Sequence, residues 1–322
     1  METLERKHDR DTITVRPLKE SDLPAADHIM RVAFGTYLGA PDPVTVFGDA
    51  DYVKTRYLAA PDCAWAAEID GELAGSNFAT RWGSFAFFGP LTVRVDLQDQ
   101  GIGSRLMEPV MDAFERWGPR QSGLFTFPES AKHIGLYQKH GFWPRFLNPV
   151  LSKAVTATAA DFATYSEVDE PQRPATLRAI RGLTDAVLPG LDLEREIRAI
   201  DTQALGDTIL IYDDDELVGL AICHCGAATE AGSGVCFVKF AAIRPGEQAP
   251  DRFERLLDAC ERLASDADLA RIVAGINTGR IDAYRRMLAR GYRAMLVGLA
   301  MRSRPAGPNY DQPHHYVIDD LR

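Results

Sequence analysis

Leu91-Thr92-Val93-Arg94-Val95-Asp96-Leu97-Gln98-Asp99-Gln100-Gly101-Ile102-Gly103-Ser104-Arg105-Leu106 is the stretch on which the fold turns. An alternating apolar run enters a short polar turn with two glycines, and a helical pattern begins directly behind it. Such a turn aims several backbone N–H groups at one point, and the positive end of the helix dipole adds to them. Together they make a phosphate cradle that needs no lysine. Glycine suits it because a side chain would block close approach of a pyrophosphate, and because such turns often require positive φ. Two rival phosphate loops do not fit. A Walker loop would place Gly-Lys before the Ser/Thr, whereas Gly103 precedes Ser104, and a dinucleotide fingerprint would have a third glycine where Leu106 stands.

The spacing of Gln98, Gly101 and Gly103 resembles the Q/R-x-x-G-x-G/A acetyl-coenzyme A motif of the GNAT acyltransferases. About thirty residues on, Ser130-Ala131-Lys132-His133-Ile134-Gly135-Leu136-Tyr137-Gln138-Lys139-His140-Gly141-Phe142 looks like the GNAT helix that ends in Leu-Tyr-x-x-x-Gly-Phe. The family more often has asparagine at the position of Ser130, whose hydroxyl suits a helix cap or a contact with the cofactor arm. Taken alone, Tyr137 reads as a packing tyrosine. With the glycine loop at the expected distance upstream, it reads as catalytic.

The resemblance implies transfer of an acetyl group from acetyl-CoA to a primary amine by direct attack in a ternary complex. It places the cofactor on the amides of Gln98, Asp99, Gln100, Gly101, Ile102, Gly103 and Ser104, with Ser130 and His133 beside it. It implies that backbone N–H groups near Val93, Arg94 and Val95 polarise the thioester carbonyl, and that Tyr137 protonates the departing thiolate. A neutral amine needs a base or a water wire. Asp96 and Glu68 are carboxylates on expected strands, but the family shares no single base and neither is assigned. The alternative is an acyl-CoA-binding regulator without turnover. A thiol-sugar acceptor, as in mycothiol synthase, is a more distant one.

The rest of the chain fits an α/β fold of two tandem GNAT-like domains. Expected strands run over 13–16, 64–69, 73–80, 85–97, 124–127 and 142–153, with a hairpin turn at Asp70-Gly71. Expected helices lead to Tyr37, span 52–58, and carry Leu106, Val110, Ala113, Phe114 and Trp117, with Pro109 predicting a kink. The same order recurs at a period of roughly 150 residues. Strands are expected at 164–168, 208–212, 217–223, 234–243 and 271–276, and helices at 171–187, 252–263 and 280–290. This divides the chain into 1–155, an acetyl-CoA-binding domain, 156–304, a degenerate copy, and a tail, 305–322. In the second copy the loop Arg244-Pro245-Gly246-Glu247-Gln248-Ala249-Pro250-Asp251 has no Gly-x-Gly, and its carboxylates would repel a pyrophosphate. Aligning Gly291 on Gly141 puts Met287 opposite Tyr137, with Tyr284 one turn earlier.

Composition narrows the partners. The 322 residues are 46% hydrophobic and 25% charged, ordinary for a globular core, and the net charge of −10 disfavours nucleic acid and anionic membranes. The charged first ten residues are unlike a signal peptide, and the five scattered cysteines suit a reducing compartment, so a cytoplasmic protein is expected. Cys223-His224-Cys225 with Cys236 invites a zinc reading, but strand-alternating core cysteines explain it better, and no metal is expected. Residues 35–49 and Trp82, Phe85, Phe87 and Phe88 are expected to shape the acceptor site or, better still, a buried face between the halves. The acidic run Asp213-Asp214-Asp215-Glu216 reads as a solvated turn. The tail residues Tyr310, Tyr316, Val317 and Ile318 are left to pair with this chain or a neighbour, with a monomer slightly favoured over a homodimer.

Overall fold

The computed structural model describes residues 13–156, 158–304 and 309–321; the charged first ten residues lie outside it. The chain packs as two compact units. The first comprises the residues up to Gly48, Tyr52–Thr80 and Phe88–Trp117, and the second Asp49–Asp51, Arg81–Phe87 and the residues from Gly118 onward.

The first unit sets strands against helices. Its elements are β1 (Thr14–Pro17), α1 (Leu23–Tyr37), α2 (Val53–Ala59), β2 (Ala64–Ile69) and β3 (Glu72–Trp82). After β4 (Phe85–Phe88), whose first three residues belong to the second unit, come β5 (Thr92–Val93) and α3 (Ile102–Trp117). β1 and β2 are antiparallel, as are β2 and β3, joined through Asp70 and Gly71 with φ of 52° and 82°. Two successive positive φ values are what a tight hairpin requires. β5 pairs with β3 through Gly75↔Val93 and Ser76↔Thr92. The core joins Leu18, Ala26, Met30, Val53, Ala64, Ala66 and Phe78. α3 buries Ile102, Leu106, Met107, Val110, Ala113 and Phe114, one stripe at helical spacing.

One expectation changes here. The strand expected over 85–97 is broken into β4, β5 and a 3-10 turn at Val95–Leu97. Pro90 has no N–H to give to a ladder, so it stops β4 after Phe88. Pro109 lies inside α3, which runs on to Trp117.

The second unit is a mixed sheet with helices. It contains β6 (Gln121–Thr126), α4 (Ala131–Lys139), β7 (Trp143–Ala154), β8 (Ala163–Thr164), α5 (Arg173–Val187) and α6 (Glu194–Gln203). There follow β9 (Gly206–Asp213), β10 (Glu216–Gly226), β11 (Gly232–Ile243), α7 (Ala249–Asp266), β12 (Arg271–Gly275), α8 (Ile281–Ala289), β13 (Arg293–Arg302) and β14 (Val317–Asp319). Strand order is β4-β6-β13-β7-β12-β11-β10-β9-β8, with β14 on β11. Helix α6 was not expected. It carries Glu194, Arg195, Glu196 and Arg198 among few apolar residues, which hides its buried stripe of Ile197 and Ile200.

The centre of that sheet is an exchange. β7 does not pair with β6, the preceding strand of its own repeat. Instead β13 lies between β6 and β7, antiparallel to both, through Leu299↔Thr126 and Leu299↔Leu147. β7 in turn pairs with β12 through Gly275↔Val150 and its neighbours. Each repeat's closing strand therefore stands beside the other repeat's strand, so residues 118–154 pack with the second half of the sequence. Local patterning reports that a strand exists but not which edge it joins.

Trp82, Phe85 and Phe87 are all buried in the second unit's core with Leu177, Ile180, Leu183 and Phe240. Buried in the core of a single unit, those three rings are not placed to line an acceptor site. Cys223, Cys236 and Cys260 are buried in a second cluster around Phe253 and Leu256, with Cys225 packed against it. Among the described residues, none of the helices is long and apolar enough to cross a membrane, and no group of three or more His, Cys, Asp or Glu side chains is arranged to hold a metal ion.

Candidate active site

The polar turn has the backbone that its sequence demands. Gln98 is extended, Asp99 is left-handed with φ of 64°, Gly101 follows with φ of 89°, and α3 starts at Ile102. A Cβ at Gly101 would be strained in that conformation. The first amides of a helix have no intrahelical acceptor, and here they belong to Ile102, Gly103 and Ser104. Gly103 adds no side chain at that end. This donor set fits a pyrophosphate.

Upstream, Arg94 N–H donates to Ala74 O at 2.9 Å, so this amide is taken by β3. N–H groups alternate sides along a strand, so Val93 directs its own away from β3. Of the three positions expected to polarise a carbonyl, Arg94 is therefore already engaged. Its guanidinium is occupied as well, 2.8 Å from Asp96 and 3.1 Å from Glu72. The hydrogen bond from Arg94 holds the Asp96 carboxyl below its ordinary range, against the opposing effect of burial. That makes Asp96 a weak proton acceptor. Glu68 is likewise tied to Arg16 at 2.7 Å.

In the second unit, Ser130 caps α4. Its hydroxyl accepts from the His133 amide at 3.4 Å and shares a 2.9 Å hydrogen bond with His133 Nδ1. The cap fixes where the helix begins, and so which face carries Tyr137 two turns later. At the other end Phe142 N–H and His140 N–H both donate to Tyr137 O, and Gly141 takes a φ of 83°. That is a left-handed helix stop, the reason for glycine there. Tyr137 is buried, and burial pushes its phenol well up, so the side chain keeps its proton.

The second repeat reproduces this frame with other chemistry. Tyr292 N–H donates to Met287 O, Gly291 N–H to Leu288 O, and Gly291 has a φ of 90°. Met287 therefore stands where Tyr137 stands, and Arg280 is the cap residue in place of Ser130. Position for position the frame survives; the phenol does not.

Residues 31–142 match the family model described as acetyltransferase (GNAT) family, a span that includes both the turn at 98–104 and the helix at 131–139. Over residues 31–142 the chain is similar to the GNAT acetyltransferase family. Solved structures agree in fold. A putative acetyltransferase from Pyrococcus horikoshii is 14% identical, covers 96% of this chain and 95% of its own, and has a TM-score of 0.68. A GCN5-related N-acetyltransferase from Sphaerobacter thermophilus is 15% identical, with 93% and 97% covered and a TM-score of 0.58. A tandem GNAT protein from the clavulanic acid biosynthesis pathway is 11% identical, with 92% and 99% covered and a TM-score of 0.55. No curated protein sequence is significantly similar to this one. The full-length GNAT matches accord with two α/β GNAT domains in one chain.

Proposed function

We propose that this GNAT protein transfers an acetyl group from acetyl-CoA to a primary amine, and that the first of its two repeats carries the chemistry. The repeats are taken as 1–155 and 156–304, with 305–322 as a tail. The observation that carries the reading is the backbone of the 98–104 turn. Left-handed Asp99 and Gly101 deliver the chain to the start of α3, and the second repeat lacks that turn.

Bound acetyl-CoA supplies a thioester, the activated acyl group. The amides at the start of α3, with Gln98, Asp99 and Gln100 leading into them, grip its pyrophosphate. Val93 N–H, directed away from β3, is the donor that polarises the acyl carbonyl, and Val95 lies one step further along the same path. Ser130 and His133 hold the start of the Tyr137 helix and offer polar contacts to the cofactor arm. The phenol of Tyr137, kept protonated by burial, supplies the proton that the leaving sulfur requires. The acceptor amine must lose a proton to a base or a water wire, and Asp96, whose carboxyl Arg94 holds below its ordinary range, is too weakly basic to be favoured for it.

Calorimetric titration of acetyl-CoA into the wild type and into Gly101→Glu/Gly103→Glu tests this. One site per chain, lost in the double variant, is expected. Two sites would mean that the second repeat binds the cofactor as well. The absence of binding would overturn the acyltransferase reading.

A further inference from the structure

The second repeat does more than lack a turn. Its hydrogen-bond register can be matched to the first without reference to any ligand. Gly75↔Val93 and Ser76↔Thr92 in the first repeat correspond to Gly219↔Ile243 and Leu220↔Ala242 in the second. The next amide confirms the match, since Arg94 N–H donates to Ala74 O at 2.9 Å and Arg244 N–H to Val218 O at 2.8 Å. Ile243 is therefore the counterpart of Val93. Its N–H donates to the carbonyl of Tyr316, 3.0 Å away, in the tail.

We propose that the chain's own tail, residues 309–321, permanently occupies the acyl-donor slot of the second repeat, with the Tyr316 carbonyl on the Ile243 amide and the strand Val317–Asp319 along β11. This rests on the reading of Val93 as the carbonyl-polarising donor. β11 and β12 pair in parallel only from Val235↔Arg271 to Val238↔Ala274. Beyond that point β14 takes the edge of β11, antiparallel, through Phe240↔Asp319, Ala241↔Ile318 and Ala242↔Val317. An extended segment has been added to a strand edge, as peptide ligands add to the sheets that bind them.

The sequence has been altered to admit it. Gly275 is the counterpart of Phe125, and Asn148 is the counterpart of Gly298. In the first arrangement the Phe125 ring lies on Gly298, where an added Cβ would come within 2.1 Å of it. In the second the aromatic is gone: Asp320 fills the space over Gly275, where an added Cβ would lie 2.0 Å from the Asp320 side chain. Asn148 Nδ2 then donates to Asp320 O at 3.1 Å. A ring has been exchanged for a glycine and a glycine for a hydrogen-bond donor, both in favour of the tail.

Charge does the rest. Arg280, at the position of the Ser130 cap, is wholly buried, 2.8 Å from Asp319 and 4.5 Å above the ring of Tyr310. Arg302, also wholly buried, bonds Asp311 at 3.0 Å, and Asn277 donates to the same carboxylate at 2.9 Å. The connection to the following helix is shorter as well, with Arg244 five positions before Ala249 against eight from Arg94 to Ile102. The slot is filled, and the pyrophosphate turn that would accompany it is gone.

Hydrogen exchange of the full chain, read by mass spectrometry with acetyl-CoA as the probe, tests this. Amides 240–243 should be protected in ligand-free protein and unchanged by saturating acetyl-CoA, whereas peptides spanning 91–104 slow by about tenfold or more. Slowing at 240–243 on adding acetyl-CoA would overturn the tail's role, because the ligand would then be displacing it. Rapid exchange there in ligand-free protein would overturn it too. Ile318→Pro, which removes the β14 amide that faces β11, should raise exchange at 240–243 by about tenfold; an unchanged rate would again count against the proposal. If this variant fails to fold, the wild-type measurements still decide. An absence of change at 91–104 is a different failure, and it overturns the acetyl-CoA reading itself.

Discussion

Arg280 and Asp319 form an ion pair of 2.8 Å in which both side chains are wholly buried. Tyr310 donates its hydroxyl to the same carboxylate oxygen at 2.7 Å. Burial lowers the affinity of Arg280 for its proton, but Asp319 and Asp311 more than compensate, so the guanidinium stays charged at every working pH.

Removing one partner of such a pair strands the other. Arg280→Ala should destabilise the protein by about 3–5 kcal/mol in urea denaturation, whereas Arg280→Met combined with Asp319→Leu should recover much of that loss. A single variant within about 0.5 kcal/mol of the wild type would mean that the pair contributes nothing to holding the tail.

Tyr137→Phe removes one oxygen from a buried site and leaves the ring. We predict that acetyl-CoA affinity stays within about twofold and kcat falls by roughly a hundredfold, the lower end of what a positioned general acid contributes. Because burial raises the phenol's pKa, ionisation of Tyr137 should not cause a loss of kcat below about pH 10 in the wild type. An unchanged kcat in the variant would remove Tyr137 from the mechanism.

Gly101 has a φ of 89°, where a Cβ costs about 1–2 kcal/mol. Gly101→Ala must either carry that strain or turn its amides away from the cradle. The acetyl-CoA dissociation constant should rise by roughly five- to thirtyfold by calorimetry, with little change in melting temperature. Wild-type affinity with no loss of stability would show that the left-handed turn is not used in binding.

Glu261 links the two repeats through Lys153, 2.7 Å away, with Thr156 at 2.8 Å and Arg290 at 3.2 Å. Burial alone would raise its carboxyl, but these donors outweigh it and the net shift is downward. A carboxyl held low when folded stabilises the protein above its unfolded value of about 4.3, and that stability is lost as pH falls through the folded value. Glu261→Gln should therefore unfold at a lower denaturant concentration at pH 7 and show a shallower loss between about pH 5 and pH 3. Parallel stability profiles for the two proteins would exclude Glu261 as a source of acid sensitivity.

Much of the frame is visible in short stretches. The hairpin at Asp70-Gly71, the turn before α3 and the Gly141 helix stop each follow from local backbone needs, because only a few residue types accept a positive φ. The helix stripes of α3 and α7 follow from spacing. The first repeat's site is readable for the same reason: its glycines and its Leu-Tyr-x-x-x-Gly-Phe run are contiguous. What patterning missed depends on partners distant in sequence. Arg94, expected to lend its amide to the acyl group, gives it to Ala74. Trp82, Phe85 and Phe87, which could line a pocket, pack with residues about a hundred positions away. Helix α6 is too polar on its outer face to declare itself.

The sequence by itself determined the glycine turn at 98–104 and the helix that carries Tyr137, together with the likeness of residues 31–142 to the GNAT family. Those features are local, each set by the φ, spacing or chemistry of a few adjacent residues. Only the tertiary structure decided that β7 and β13 change places between the repeats, and that the tail lies on β11 with its carboxylates against Arg280 and Arg302. Strand pairing satisfies backbone groups that are alike at every residue, so nothing local names the partner. A buried charge, in turn, is acceptable only where its counter-charge arrives, and here that counter-charge lies up to 39 residues away.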